Sequence, residues 1–364
     1  MKIVAAIVIL AACTRPSEDR ALLELDVGIA STSDTRVTVA GGLAAVRELT
    51  DHRLELWANS PVLSIELQVG ASAAGTWTVV VRNSLSDSVM ESAGVTHVRT
   101  RDAGPTVATF EMTLGAGTHT LRVAPPDADV LGPFRVAAMA DIQTALPSVD
   151  DVFEAISAVP DARFVVAMGD ITQRAQEEEY EMFDRQLAYL RIPFYTTLGN
   201  HELWSPPEKF FERYGRASFQ FTFKGCSFTF ADSGDAAIDP LVDEWIKGWL
   251  ADAVDRPSVF LTHMPPLDPN GLRYGSFRST RDGQRLISEL VDGRVDLTLY
   301  GHIHTYVEYE NAGIPAYISG GGGAEPMKLD GIDRHFLIVE LDATSATGGG
   351  MKGVELHRLD ELFD

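Results

Sequence analysis

The sequence predicts an α/β fold, a β-sheet sandwich flanked by helices, preceded by an all-β sandwich domain. Three observations predict it. After Phe134, strand-like and helix-like segments alternate at the spacing of βαβ units. Polar residues able to bind cations stand where the strand-like segments stop, as on the carboxyl edge of a parallel sheet. From Leu22 to Pro126, by contrast, the chain reads as short strands with no long helical stretch.

Taken in order, the chain opens on a targeting segment. Lys2 supplies a positive start and Ile3 to Leu10 an apolar run too short to span a bilayer. Leu10-Ala11-Ala12-Cys13 resembles a bacterial lipobox, which implies cleavage after residue 12 and a lipid on Cys13. That places the protein in the cell envelope. Thr14 after the cysteine favours the outer over the inner membrane in a double-membraned cell. Thr14 to Arg20 read as a polar tether. Cys226 is then left without a disulfide partner, and its apolar strand context makes it a core thiol.

Residues 22–130 are expected to form the β-sandwich. Arg36 to Val39, Arg53 to Trp57, Leu63 to Val69, Thr76 to Arg82 and Val107 to Leu114 alternate or cluster β-branched and aromatic residues. Gly115-Ala116-Gly117 reads as a hairpin turn between Phe110–Leu114 and a returning strand at Leu121 and Val123. An Ig-like topology is one option, left open because the Cys…Trp…Cys signature is absent. Pro125-Pro126 and Gly132-Pro133 bracket a linker.

Residues 134–364 follow the second grammar. Arg135 to Ala140 is a buried strand ending at Asp141, and Phe164 to Met168 a second ending at Gly169-Asp170. Phe194 to Leu198 is a third, ending at Gly199-Asn200-His201. Val149 to Val159 and Glu177 to Leu190 are the intervening helices. Ser227 to Ala231, Ser258 to Thr262 before His263, and Leu297 to Tyr300 before Gly301-His302-Ile303-His304 repeat the logic, with helices at Leu241 to Leu250 and Gln284 to Leu290. Phe336 to Glu340 and Val354 to Leu359 close the fold as a hairpin.

At 364 residues, 45% hydrophobic and 23% charged, the chain suits a folded two-domain protein. Its net charge of -22 argues against nucleic acid or a bare anionic membrane surface as partner. A phosphorylated small molecule or envelope component stays compatible, because a metal pair makes one pocket locally positive.

Asp141, Asp170, Asn200, His263, His302 and His304 are the oxygen and imidazole donors that two close divalent cations need, and Asp170 can bridge them with its two oxygens. Counting His201 with these three, four of the nine histidines fall at strand ends. The run Asp141-Ile142-Gln143, Gly169-Asp170, Gly199-Asn200-His201-Glu202, His263, Gly301-His302-Ile303-His304 resembles the motif order of the calcineurin-like metallophosphoesterases. The resemblance covers Phe134 to the C-terminus. It implies a metallophosphoesterase fold and hydrolysis of phosphomonoesters or phosphodiesters by a hydroxide held between two metals. By it, Asp170 bridges, Asp141, Gln143 and His304 serve the first metal, and Asn200, His263 and His302 the second. His201 lies beside the leaving group, with Glu202 supporting it.

One departure is Gln143, where the family carries histidine. An amide oxygen is a harder donor than imidazole, which moves the expected ion from zinc towards manganese, iron or magnesium. The purple acid phosphatases share the order of a β-sandwich before this fold, but their iron-binding tyrosine corresponds to Gln173, so a ferric chromophore is not expected. Arg273 and Arg278, in the loop after His263, are candidates for substrate phosphate. Gly320 to Gly323 reads as a tight connection. The rival function is an envelope binding lipoprotein whose metal site is catalytically weak.

Overall fold

The computed structural model describes residues 16–100, 103–271, 275–327, 332–344 and 350–359. The leader, Cys13 and Arg273 lie outside the described residues. The first element is helix α1 (Pro16–Glu24). This corrects the tether: its second half is helical and docked. Arg20 Nε donates to Asp232 Oδ2 (2.5 Å), and Glu24 accepts from the N–H and hydroxyl of Ser218. A nine-residue helix with a weak apolar face is marginal alone and is held by such distant partners.

Ten strands follow: β1 (Ile29–Ser31), β2 (Thr35–Val39), β3 (Ala44–Leu49), β4 (Arg53–Ala58), β5 (Leu63–Val69), β6 (Gly75–Arg82), β7 (Val89–Ser92), β8 (His97–Arg99), β9 (Val107–Leu114) and β10 (Gly117–Ala124). They form two five-stranded sheets, β1-β2-β5-β10-β7 and β3-β4-β6-β9-β8. In β5, Leu63, Ile65, Leu67 and Val69 are buried while Ser64, Glu66 and Gln68 face water, the period-two pattern of a sheet with one wet face. Buried residues of both sheets, Ile65 and Leu121 with Trp77 and Phe110 among them, share one core. The glycines at 115 and 117 do not make a hairpin. Strand β9 pairs with β6 and β8, whereas β10 pairs with β5 and β7, so the connection crosses between sheets.

The rest of the chain runs β11 (Pro133–Met139), α2 (Asp150–Ser157), β12 (Ala162–Ala167), α3 (Glu177–Gln186), β13 (Phe194–Thr196), α4 (Glu208–Tyr214), β14 (Phe219–Phe223), β15 (Cys226–Ala231), α5 (Pro240–Ala253), β16 (Ser258–Thr262), α6 (Thr280–Asp292), β17 (Leu297–Tyr300), β18 (Tyr306–Asn311), β19 (Ile314–Ser319), β20 (His335–Asp342) and β21 (Met351–Arg358). Two mixed sheets result, β13-β12-β11-β20-β21 and β14-β15-β16-β17-β19-β18. Strands β11, β12 and β13 are mutually parallel, as are β15, β16, β17 and β19.

Both faces of these sheets are covered at their centres, so inner strands such as β15, β16 and β17 are buried along their whole length, whereas the outer strands β14, β18 and β21 are partly exposed. In β12, Phe164 and Val166 enter the core between the sheets with Phe228, Leu261 and Leu299. Val165 and Ala167 point the other way, into a cluster with Phe153, Phe183 and Phe210 from α2, α3 and α4. Helices α5 and α6 cover the second sheet through Ile246, Leu250, Leu286 and Leu290. The cap of α5 is Asp239, whose carboxylate accepts from Leu241 N–H ahead of Pro240 in the first turn. Cys226 is buried, which pushes its thiol up to about 12 and fits a core role.

The two halves meet along β13. Asn83, in a left-handed conformation (φ 57°), accepts from Phe194 N–H at 2.7 Å and donates to Phe194 O at 2.8 Å. Its side chain thus takes both backbone groups of an edge residue, as a neighbouring strand would. Beside it the Arg47 guanidinium lies 4.1 Å over the Trp57 ring.

Candidate metal centre

Parallel strands end on one side of a sheet, so residues far apart in sequence converge there. Asp141 follows β11, Asp170 follows β12, Asn200 follows β13, His263 follows β16, and His302 and His304 follow β17. The chain turns sharply at each end. Asp141, Gln143, Asp170 and His302 all have positive φ (64°, 44°, 56° and 68°). Left-handed backbone is uncommon for any residue with a Cβ, though less so for Asp and His than for Gln, and such conformations gather where function fixes a side chain's direction. Close approach also explains two glycines. A Cβ on Gly199 would lie 2.1 Å from Asp170 Oδ1, and one on Gly301 2.6 Å from Ala140 Cβ.

Asp170 stands at the middle, fully buried. Its Oδ2 is 3.2 Å from His263 Nε2, 3.9 Å from His201 Nε2 and 2.7 Å from the Gln143 amide nitrogen. Its Oδ1 accepts from His201 N–H at 2.9 Å. His304 Nε2 is 3.5 Å from Asp141 Oδ1 and 3.3 Å from the Gln143 amide. Asn200 Oδ1 is 3.1 Å from His263 Nε2. Ligand atoms of Asp170, His263 and His302 all lie within 4.8 Å of one another. The seven sequence-derived ligand candidates therefore sit in one cluster.

This donor set fits divalent cations. His263 Nδ1–H donates to Met168 O (2.6 Å) and His304 Nδ1–H to Glu325 O (2.7 Å). Each fixes the tautomer that leaves Nε2 as a lone-pair donor aimed inward, the usual support of a metal-bound imidazole. Asp141 Oδ1 is buried without a hydrogen bond among the described residues, an arrangement a cation would compensate. Turning the Gln143 amide over presents Oε1 to the same point. Burial works to raise the Asp170 carboxyl, yet His263 and His201 beside it hold it below the usual carboxylate range. Desolvation works to lower His263, but Asp170 and Asp141 push the imidazole up to about 9. A pocket whose carboxylates draw positive charge this strongly is suited to metal ions.

Glu202 lies beneath the centre, fully buried. Its Oε2 accepts from Asp170 N–H (2.9 Å) and Gly199 N–H (2.8 Å), and its Oε1 from Thr172 N–H (3.0 Å) and hydroxyl (2.9 Å). Burial, then the charge on Asp170, push its carboxyl up to about 7, against the pull of the Gly199 and Thr172 donors. It ties together the loops that carry Asp170 and Asn200. His201 holds Nδ1–H on Gln173 O at 2.7 Å and keeps Nε2 towards the centre. The sequence reading missed Thr172 and Trp204, whose indole stacks on His201. Only its place three residues after His201 in a one-turn helix could have pointed to Trp204.

Gly322 N–H donates to Ala140 O and Ala324 N–H to Asp141 O, so the glycine run braces the Asp141 turn. Arg278 is exposed, and among the described residues its side chain makes no hydrogen bond to the cluster.

Residues 134–306 match the calcineurin-like phosphoesterase family model. The chain is 29% identical over 182 residues to a Rhodopseudomonas palustris protein described as a probable cyclic nucleotide phosphodiesterase, covering 44% of this chain and 64% of that one. It is also 29% identical over 174 residues to the glycerophosphodiester phosphodiesterase GpdQ of Enterobacter lignolyticus, covering 43% and 60%. The chain thus spans less than two thirds of the length of these curated relatives. Among solved structures it resembles the purple acid phosphatase PPD1 of yellow lupin (Lupinus luteus), with a TM-score of 0.54 and 15% identity over 90% of this chain and 74% of that one. That likeness is one of fold. Family match and relatives together support likeness to the calcineurin-like superfamily for residues 134–306.

Proposed function

We propose that the protein is a metal-dependent phosphoesterase, hydrolysing phosphomonoesters or phosphodiesters at a two-metal centre. The observation that carries this reading is the convergence of Asp141, Gln143, Asp170, Asn200, His263, His302 and His304 around one buried carboxylate. Asp141, Gln143, His304 and Asp170 would hold one ion; Asp170, Asn200, His263 and His302 would hold the other. Manganese, iron, magnesium and zinc are the candidates. When bound, such a pair polarises a phosphoryl group and activates water for attack on it. The chain's own part is positional. Glu202 fixes the Asp170 and Gly199 turns, and the backbone carbonyls of Met168 and Glu325 fix the imidazoles. His201, its Nδ1–H held by Gln173 O, turns Nε2 to the leaving oxygen and as the imidazolium, protonated on both nitrogens, gives it the Nε2 proton. One named relative is described as a phosphodiesterase and the other as a probable one, which favours diesters.

The test is a panel of mono- and diesters assayed with each metal in turn, alongside Asp170→Asn. Hydrolysis that depends on added metal, lost with bound metal in Asp170→Asn, is expected. Full activity of metal-depleted Asp170→Asn would overturn the two-metal reading. The location belongs to the same proposal: export, cleavage before Cys13 and lipid anchoring there. Mass spectrometry of the membrane-extracted N-terminus would show the lipid, and an unmodified Cys13 would leave a secreted enzyme.

A further inference from the structure

We infer that Trp204 is the stacking platform for a flat ring on the substrate's leaving alcohol, so that nucleoside-like or aryl phosphoesters are the preferred class. The inference rests on the phosphoesterase reading above. The Trp204 ring centroid lies 5.3 Å from that of His201, with 9° between the planes. His201 is 12% exposed and Trp204 60%. The indole therefore lies over one imidazole face at the rim of the centre and keeps much of its own surface in water.

This ring is not on a loose loop. It closes the one-turn helix His201–Trp204, with Leu203 N–H on Asn200 O. The next residue, Ser205, donates its hydroxyl to Arg174 O (2.9 Å) and accepts from the Gln176 amide (2.6 Å). A large π surface held in place and left wet has a favourable way to lose that water: a second flat ring laid on it. Its neighbour is the residue that serves the leaving oxygen, so a ring on the leaving alcohol is the part of a substrate within its reach. The bland alternative is that Trp204 only steadies His201. The two readings differ in what they do to selectivity.

The experiment compares two methyl phosphodiesters, one of adenosine 5′-phosphate and one of ribose 5-phosphate. The reaction followed is release of adenosine or ribose with methyl phosphate left behind, so the leaving primary alcohol is the same and only the base differs. Base stacking on an aromatic side chain corresponds to about tenfold or more in binding. The wild type should favour the adenosine ester by about that factor in kcat/KM, chiefly through KM. Trp204→Leu should bring the ratio close to one, and Trp204→Phe should keep much of it. A wild type with no preference would overturn the inference, as would a Trp204→Leu protein that loses both activities in equal proportion. If neither ester is turned over with any metal, the mono- and diester panel decides separately whether the phosphoesterase reading fails. Stacking is then decided by titrating the full chain with adenosine 5′-phosphate. Quenching of tryptophan emission that Trp204→Phe abolishes supports the platform, and its absence refutes it.

Discussion

Replacing Glu202 is the sharpest test of how the centre is held. Its carboxylate takes four hydrogen bonds in a site with no access to water, three from backbone N–H groups and one from the Thr172 hydroxyl. In Glu202→Ala the hydroxyl can turn elsewhere, but the N–H groups of Asp170, Thr172 and Gly199 are left buried and unmatched. Each such group costs ~1–3 kcal/mol, so the three together cost ~3–9 kcal/mol. That is comparable with a whole domain's stability of ~5–15 kcal/mol. Glu202→Gln should be milder. Its amide oxygen can keep the Asp170 and Gly199 donors while the NH2 faces Thr172, whose hydroxyl can rotate to accept. One N–H is then orphaned, at a cost of ~1–3 kcal/mol. Urea unfolding of metal-depleted protein, followed by tryptophan fluorescence, measures both losses. Manganese affinity should fall in the same order, since the Asp170 turn loses its anchor. An alanine variant within ~0.5 kcal/mol of the parent, below the cost of even one orphaned donor, would refute this reasoning, as would a glutamine variant worse than the alanine one.

Three further outcomes are expected. His201→Ala should keep its metal by elemental analysis while turnover drops ~10²–10⁴-fold, with a smaller loss for a nitrophenyl than for an alkyl leaving group; equal losses would remove the proton-donor role. Gln143→His should bind zinc more tightly and shift the metal preference, read by competition titration, and an unchanged preference would take Gln143 out of the ligand set. Burial, then Asp232, push the Glu24 carboxyl from its ordinary 4.5 up to about 8. The folded chain therefore holds this proton to higher pH than the unfolded one, so its contribution is full below the lower value and lost as pH rises to the upper. Relative to Glu24→Gln, the parent should lose up to a few kcal/mol of stability across that window in urea titrations, and a flat difference would refute the assignment.

What the sequence made legible follows from where the forces are local. Strands β12, β16 and β17 are mainly apolar runs that stop at Gly169-Asp170, His263 and Gly301-His302, so their ends can be read from composition. Helix α6 carries its own cap, Ser279, and a strong apolar stripe. The failures are equally physical. A turn between two alternating strands looks the same whether the second strand pairs with the first or crosses to another sheet, which is why Gly115 to Gly117 misled. Helix α1 is polar by composition, and its partners Ser218 and Asp232 lie some two hundred residues away. In the centre, residue types and order reveal the donors. The left-handed turns and the four bonds onto Glu202 arise only when separate strand ends meet.

The pairing of Asn83 with Phe194 has a consequence for anyone who handles the half with the donor cluster by itself. Strand β13 is the outermost member of its sheet, and an open strand edge is a template for pairing with another molecule. Asn83 occupies both of Phe194's backbone groups, with Trp57 and Arg47 close by. A fragment beginning at residue 134 would carry the whole donor set and lose this cover. Dissected at the proline-rich junction, the molecule would become adhesive along that border. The first hundred residues thus serve as a guard rail for the sheet, whatever else they bind.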